Sequence, residues 1–280
     1  MLGTMTETTP DPADAQRRMW TIGDYPAIAH RLLPISVDTV EALSIDDATT
    51  VLDVGTGDGN FAIEAARRGA HVTAVDLTPA QVDHALARVA AEGAPLDVDV
   101  RVGDAQALDF ADRSFDIVAS VLGMMFAPDH ARAASEMVRA CRAGGTVASA
   151  VWTGGGWSQV WQRRAAHIVP PPPDGGPRPD LWGDPDESRR RWEAAGLLDL
   201  RIEERPFEWH FASVDEAVEL FTSAAGSFIT FLERAAALGR ADEARDELLA
   251  ALTEAATPTE GGAAVTLSHP YLLTIGTVPG

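Results

Sequence analysis

Short apolar runs alternate, along the first half of the chain, with stretches whose apolar residues recur at helical spacing. Such runs predict buried strands, here at residues 49–54, 71–76, 98–102, 115–121 and 146–152. Strands that alternate with helices form a parallel sheet covered on both faces, and right-handed crossovers bring their carboxyl ends to one edge. The pattern therefore predicts an α/β fold with its ligand site at that edge.

The helix after the second strand has both a start and a stop signal. Thr78 is a candidate N-cap, Pro79 suits the first turn, and Gln81 completes a capping box with Thr78. Gly93 is expected to end this helix.

The pattern changes after Trp152. Glycines at 154–156 and prolines at 170–173 interrupt regular structure, which is typical of an inserted lid and equally of a passive surface connection. A helix is then predicted from Asp184 to Gly196, followed by strands over residues 200–211 and 271–278 with helices between them. Pro270 has no N–H to donate, so a bend or edge is expected there.

A glycine-rich turn follows the first strand. Gly55 and Gly57 allow the backbone to turn sharply and to approach a ligand, and Gly59 suits close packing of the next helix on the strand. Asp76 ends the second strand, where an ionised carboxylate can accept hydrogen bonds from both hydroxyls of a ribose. Asn60 stands where a dinucleotide fingerprint has its third glycine, which weakens a pyrophosphate interpretation. The turn therefore favours an adenosine-containing cofactor other than a dinucleotide.

A second acid follows the third strand. Asp104 lies in a Gly-Asp-Ala turn, and its carboxylate could accept a hydrogen bond from an adenine amino group. Together with the glycine turn, Asp76 and the Gly144-Gly145 turn before the fifth strand, this motif resembles the class I S-adenosylmethionine-dependent methyltransferases. The resemblance covers residues 49–152, with Ala143 where the family more often has proline.

This resemblance implies S-adenosylmethionine as the cofactor. It places Asp53 and the glycine turn at the methionine end, Asp76 at the ribose, and Asp104 at the adenine. The cofactor-binding residues that it predicts are Asp53, Gly55, Gly57, Gly59, Asp76, Leu77, Asp104, Ala105 and Ser120.

Residues 123–129 resemble a subgroup of small-molecule methyltransferases of the ubiquinone and menaquinone type. The acceptor is therefore expected to be a small organic molecule, for which secondary metabolism is one source. Large apolar residues could form a chamber for a planar acceptor, although such residues more often pack cores. The predicted substrate-binding residues are Trp20, Tyr25, Met124, Met125, Trp157 and Trp161.

Methyl transfer from a sulfonium mainly requires alignment, and a base only for some nucleophiles. His130 is the predicted catalytic base, because it opens a helix after the fourth strand, where the helix N-terminus disfavours a protonated imidazole. The alternative is a structural histidine. Weaker candidates are His30, His167, His210 and His269.

The predicted fold class is α/β, with a Rossmann-like, doubly wound, mostly parallel seven-stranded sheet and an inserted helical cap. Residues 1–15 are expected to form a disordered tail, and residues 16–48 a helical segment over the cofactor site. The cofactor-binding core is expected at residues 49–152 and the lid at 153–183. Residues 184–280 are expected to complete the sheet and to supply substrate-cap helices.

Composition narrows the function further. The formal net charge of −20 repels phosphate backbones and anionic membranes, so neither nucleic acid nor a membrane is an expected partner. The single Cys141 excludes an internal disulfide, no Cys/His metal framework is present, and no secretory signal is apparent. A cytoplasmic monomer or homodimer is expected. A nicotinamide-dependent oxidoreductase and a non-catalytic S-adenosylmethionine-binding regulator remain as alternatives.

Overall fold

The computed structural model describes residues 12–170, 178–259, 262 and 264–280. A seven-stranded sheet in the order β3-β2-β1-β4-β5-β10-β6 runs through its centre. The first five strands pair in parallel, whereas β10 is antiparallel to both of its neighbours. This architecture confirms the predicted fold class. The sheet consists of β1 (Thr50–Val54), β2 (His71–Asp76), β3 (Val98–Val102), β4 (Phe115–Val121), β5 (Cys141–Trp152), β6 (Leu198–Arg205) and β10 (Tyr271–Thr277).

Helices cover both faces of the sheet. Alternate side chains of β1 enter two separate cores: Val51 packs in a cluster with Phe61, and Leu52 packs in another with Met137. The described helices are α1 (Pro12–Thr21), α2 (Tyr25–Glu41), α3 (Asn60–Arg67), α4 (Pro79–Ala90), α5 (His130–Ala140), α6 (Trp157–Ala165), α7 (Pro185–Ala195), α8 (Val214–Ala224), α9 (Gly226–Ala237) and α10 (Ala241–Ala255). Short 3-10 turns occupy Met124–Phe126 and Pro179–Gly183.

The strand order reverses between β1 and β4. From β1 the chain continues outward through β2 and β3, whereas from β4 it continues to β5 on the other side. The loops that leave β1 and β4 therefore diverge at the carboxyl edge of the sheet. This divergence opens a crevice, which is where doubly wound sheets bind ligands.

The predicted single strand over residues 200–211 is wrong. β6 ends at Arg205, and Pro206 interrupts the run because it has no N–H for a sheet ladder. The remainder, β7 (Glu208–Phe211), joins a separate antiparallel sheet with β9 (Val265–Ser268) and β8 (Ala256–Pro258). β9 and β10 belong to different sheets on either side of Pro270, as the expected bend requires.

The predicted tail is too long at its carboxyl end. Residues 1–11 lie outside the described residues, but residues 12–15 belong to α1. The predicted lid contains α6 and the turn at Pro179–Gly183, and its residues 171–177 lie outside the described part.

Two details of the α4 prediction are also wrong. The Thr78 side chain caps no N–H of α4, and the Gln81 amide donates instead to the carbonyl of Trp20 at 2.8 Å. α4 ends at Ala90, three residues before Gly93. By contrast, α7 ends as predicted, because Gly196 adopts φ +102° and donates its N–H to the last turn.

Gly196 and Gly93 form a matched pair for a stability test. A Cβ at either position meets no atom within 4 Å, but only Gly196 is left-handed. We predict that Gly196→Ala lowers the free energy of unfolding by about 1–2 kcal/mol, the cost of a left-handed non-glycine residue. Gly93→Ala should leave it unchanged or slightly higher. Urea unfolding measures both, and equal losses would contradict the assignment of the cap.

Candidate active site

The loops after β1 and β4 touch backbone to backbone. A Cβ on Gly55 would lie 2.9 Å from the Cα of Gly123, and a Cβ on Gly123 would lie 2.8 Å from the Gly55 carbonyl oxygen. The Ser120 hydroxyl fastens the two loops, since it donates to the carbonyl of Val54 at 2.6 Å and accepts the N–H of Met124 at 2.9 Å. Only glycines permit this approach.

Leu122 is strained at the same place. Its φ of +58° is unfavourable for a residue with a branched side chain, and its N–H is held by the carbonyl of Ala150 at 2.8 Å. Strained backbone of this kind concentrates at functional sites. Leu122 lines both of the cavities described next.

A cleft of about 670 Å³, including its mouth, opens at the carboxyl ends of β1, β2 and β3. We call it the cofactor cleft. The predicted cofactor-binding residues that line it are Gly55, Gly57, Asp76, Leu77, Asp104 and Ala105.

Asp76 is held in place by the backbone. One carboxylate oxygen accepts the N–H of Gly57 and the other accepts the N–H of Thr78, each at 2.9 Å. Burial raises the pKa of Asp76 above its usual range, although these two N–H groups oppose the shift. Each oxygen retains a further lone pair toward the cleft.

Three residues predicted to bind the cofactor do not line the cleft. Asp53 lies beneath the glycine turn, is 1% exposed and accepts from the Thr56 hydroxyl at 2.6 Å. Gly59 faces Ala85 of α4, not a strand. Ser120 is buried behind the wall, where its hydroxyl is used by the two loops. All three shape the cleft from behind.

Glutamines that sequence reasoning missed also line the cleft. Gln16 accepts from the Trp20 indole at 3.3 Å and donates to the Phe126 carbonyl at 3.0 Å, which ties α1 to the β4 loop. Gln81 uses its amide nitrogen on Trp20, and its buried Oε1 has no hydrogen-bond partner among the described residues. An acceptor left open in the cleft suits an adenosine ligand that brings amino and hydroxyl donors.

A second cavity of about 930 Å³, including its mouth, adjoins the cleft. We call it the chamber. Its walls are rich in aromatic side chains, which come from the sheet, the cap helices and the small second sheet. The residues that line both cavities are Trp20, Tyr25, Leu122 and Phe126.

Tyr25 stands at the junction of cleft and chamber. A Cβ on Gly57, whose φ is +58°, would lie 2.8 Å from the Tyr25 hydroxyl, so the ring reaches the glycine turn directly. Burial and the carboxylate of Asp58 raise the pKa of Tyr25 above its ordinary value. The hydroxyl therefore stays protonated and can donate a hydrogen bond.

The predicted substrate-binding residues divide into three groups. Trp20, Tyr25, Met125 and Trp157 line the chamber. Met124 lines the cleft instead. The prediction for Trp161 is wrong, because this residue lines neither cavity and is 2% exposed. It packs in the core, stacked on Phe228 with ring centroids 4.6 Å apart.

The predicted base, His130, lies outside both cavities. Its Nε2 lies 3.0 Å from the Met125 carbonyl and donates to it, while Nδ1 accepts from the Arg191 guanidinium at 3.3 Å. Burial and the charge of Arg191 lower the pKa of His130, so the imidazole is neutral as expected. Its ring nitrogens are nevertheless committed, and it packs against Trp182. His130 is a structural residue.

A different histidine lines the chamber. His269 is 3% exposed and stacks on Trp152 with ring centroids 3.9 Å apart. Burial lowers the pKa of His269 to about 3. Its neighbours on α6, Ser158 and Gln159, both lie 3.1 Å from its Nε2. The sequence signal for His269 was weak, because its partners come from distant segments.

The described residues contain no group of three or more histidine, cysteine or acidic side chains able to hold a metal ion. Among the helices of the described ranges, none has the length and apolar character needed to cross a bilayer.

The chain is similar in sequence to known methyltransferases and to proteins of no stated activity. A methyltransferase domain model matches residues 51–145. The chain is 42% identical over 184 residues to an uncharacterized protein of Mycobacterium tuberculosis, covering 65% of this chain and 66% of that protein, just under two thirds of its length. It is 36% identical over 143 residues to the 2-methyl-6-phytyl-1,4-hydroquinone methyltransferase of Synechocystis, covering 47% of this chain and 43% of that one.

The fold has solved counterparts as well. The YcgJ protein from Bacillus subtilis superposes with a TM-score of 0.58 at 20% identity, covering 90% of this chain and 99% of that one. Fold and cleft thus define a doubly wound α/β protein with a ligand crevice at the carboxyl edge of its sheet. The domain match identifies residues 51–145 as a methyltransferase domain, as the resemblance to the class I, S-adenosylmethionine-dependent type implies.

The buried carboxyl of Asp53 predicts a pH-dependent stability. Burial raises its pKa from 3.8 to about 7 in the folded protein. The stability that depends on the protonated Asp53 carboxyl is therefore complete below about pH 4. It is lost as the pH rises to about 7. Asp53→Asn keeps an acceptor for Thr56 but cannot ionise. We predict that the variant gains stability relative to wild type between pH 4 and 7 in urea unfolding without cofactor. A difference that stays constant over that range would contradict the raised pKa.

Proposed function

We propose that this chain transfers the methyl group of S-adenosylmethionine to a small, largely apolar organic acceptor held in the chamber. The observation that carries the proposal is the shared wall. Four residues, Trp20, Tyr25, Leu122 and Phe126, line both cavities, so a group bound in the cleft can face a molecule in the chamber. A binding module that only sensed the cofactor would have no need of a second, aromatic cavity beside it.

The cofactor matches the polar groups and the backbone of the cleft. The free lone pairs of Asp76 suit the two ribose hydroxyls, and Asp104, at the end of β3, suits an adenine amino group. Gly55 and Gly57 line the cleft with bare backbone, which the methionine portion can approach closely beside Tyr25. The unpartnered Oε1 of Gln81 offers a further acceptor. We assign these residues to cofactor binding.

When bound, S-adenosylmethionine supplies an electrophilic methyl group on a sulfonium. The chain itself needs mainly to bind the acceptor, to orient it and to exclude water from it. Orientation of this kind can supply roughly 7–11 kcal/mol of barrier reduction. Trp20 supports this role, because its edge-to-face contacts with Tyr25 and Phe126 hold the shared wall together.

The acceptor class follows from the chamber walls. The Synechocystis relative is named for a hydroquinone acceptor, which is a flat ring that carries hydroxyl groups. The chamber here is walled by rings such as Trp152, Trp157 and Phe221. A planar aromatic acceptor, including one from secondary metabolism, suits such walls. The family match to methyltransferases leaves no support for the nicotinamide alternative.

Asp76→Asn tests the ribose assignment. The substitution keeps the size of the side chain but replaces one acceptor oxygen by an amide and removes the charge. Loss of one charge-assisted hydrogen bond predicts affinity for S-adenosylmethionine about 10- to 100-fold weaker by calorimetry. Asp99→Asn, on the exposed side of β3, is the control and should bind as wild type. Unchanged affinity in a folded Asp76→Asn variant would move the ribose elsewhere.

Methyl transfer itself can be tested with trideuteromethyl-labelled S-adenosylmethionine and a panel of hydroquinones, phenols and aromatic amines. We predict a labelled methyl product from at least one flat aromatic acceptor, detected by mass spectrometry, and none from aliphatic acids of similar mass. Tight cofactor binding without transfer to any member of a broad metabolite extract would instead indicate a regulatory protein.

A further inference from the structure

The chamber contains one polar cluster whose hydrogen bonds have a fixed direction. The Trp209 indole donates to Nδ1 of His269 at 3.2 Å, and an indole N–H can only donate. Nδ1 therefore carries no proton, and Nε2 of the neutral ring must be the protonated nitrogen. Nε2 in turn faces the Ser158 hydroxyl and the Gln159 Oε1, each at 3.1 Å. Neither nitrogen of His269 is free to accept a proton from an acceptor molecule.

The side chain of Gln159 has one donor without a partner. The Oε1 of Gln159 accepts from the Ser158 hydroxyl at 2.9 Å and faces the protonated Nε2 of His269. This fixes the orientation of the Gln159 amide, with its nitrogen on the other side. Among the described residues, that amide nitrogen has no hydrogen-bond acceptor. Gln159 lines the chamber and is 7% exposed, so an acceptor oxygen on a molecule in the cavity can reach that nitrogen.

A second donor in the chamber wall is also unused. The indole nitrogen of Trp157 is buried and has no partner among the described residues. Three other buried indoles share that state, but they do not line the chamber, so only Trp157 bears on its ligand. The open amide nitrogen of Gln159 is a donor, so an occupant that pairs with it must bring an acceptor oxygen.

Charge further restricts the occupant. The chain contains no lysine, and no arginine lines the chamber in the described residues. The carboxylate in its wall, Asp180, is already paired with Arg178 at 2.7 Å. A carboxylate or phosphate in the chamber would be buried without a countercharge, which is costly. A neutral molecule incurs no such cost.

Glycine at position 156 makes room for the cluster. A Cβ there would lie 2.2 Å from Cδ2 of His269, although the backbone at Gly156 is ordinary. Gly154 and Gly155, in the same run, meet no atom within 4 Å. The position therefore needs glycine for space, because His269 must reach α6.

We propose that Gln159, oriented by Ser158 and His269, is the group that recognises the methyl acceptor, by donating a hydrogen bond to a carbonyl or hydroxyl oxygen on a flat, uncharged ring. His269 is a positioning residue in this arrangement and takes no proton from the acceptor. This inference rests on the proposed function, because it takes the occupant of the chamber to be the methyl acceptor. The binding that it describes requires no cofactor.

The test uses four probes with one ring system, measured by equilibrium dialysis against the full chain without S-adenosylmethionine. They are naphthalene, 2-acetylnaphthalene, 2-naphthol and 2-naphthoate. We expect 2-acetylnaphthalene and 2-naphthol to bind about 10-fold more tightly than naphthalene, as one buried hydrogen bond allows. A preference for the acetyl probe alone would favour ketone or quinone acceptors, and equal gains would include phenols. 2-Naphthoate should bind no better than naphthalene.

Gln159→Leu keeps the size of the side chain and should remove the 10-fold preference while naphthalene still binds. Gly156→Ala should weaken the preference too, because it displaces His269. Ser135→Ala, whose hydroxyl bonds only within α5, is the control and should keep the full preference. The thermal unfolding midpoint of each variant reports whether it is folded.

The proposal is overturned if 2-acetylnaphthalene and naphthalene bind wild type equally, if no probe binds, if folded Gln159→Leu keeps the preference, or if 2-naphthoate binds most tightly. These outcomes are separate from failure of the proposed function, which would appear as absent binding of S-adenosylmethionine or absent methyl transfer while the probe preferences stand.

Discussion

The contact between Gly55 and Gly123 sets the distance between the two cavities. The strand order reverses between β1 and β4, and the loops that leave these strands touch at the two glycines before they run to opposite sides of the sheet. The absence of side chains allows backbone contact, and the Ser120 hydroxyl bonds to both sides of it. Leu122, next to Gly123 in the chain, adopts a left-handed conformation and lines both cleft and chamber. A larger separation would leave a gap where the two ligands should meet.

The remaining parts of the molecule close this junction from outside. α1 is tied down by Gln16 and Gln81, whose amides reach the β4 loop and Trp20. The second sheet and α6 bring Trp209 and Gln159 to opposite sides of His269. The cleft presents the acceptor oxygens of Asp76, Asp104 and Gln81, whereas the chamber presents the amide donor of Gln159 among aromatic side chains. That difference in polarity separates a charged nucleoside from an uncharged ring.

Much of the fold and cleft could be predicted because the signals are local. Strand periodicity, the glycine turn and the acids at the ends of β2 and β3 each occupy a few consecutive residues, and Asp76 and Asp104 do line the cleft. Ser120 is predicted to bind the cofactor, but its hydroxyl bonds to the two loops behind the cleft. The apolar pattern of a strand does not show which groups a hydroxyl will contact. His130 was correctly expected to be neutral, but position at a helix start does not reveal where its ring points. Pro206 is a local signal for the end of β6, and the predicted strand over residues 200–211 runs through it.

The residues that sequence reasoning missed depend on contacts between distant segments. Gln81 looked like part of a capping box, yet its amide is taken by Trp20, 61 residues away. His269 is held by the Trp209 indole and by Gln159 of α6, which lies 110 residues earlier in the chain. No local pattern encodes such encounters, because they follow from how the cap folds over the sheet.

A crystal structure with S-adenosylhomocysteine bound is the most direct test of the account. If the paired glycines position the cofactor, the homocysteine sulfur will lie beside Gly55 and face the wall formed by Tyr25, Leu122 and Phe126, with open space of the chamber beyond. A sulfur that faces the solvent mouth of the cleft, or a nucleoside bound away from Asp76, would contradict it.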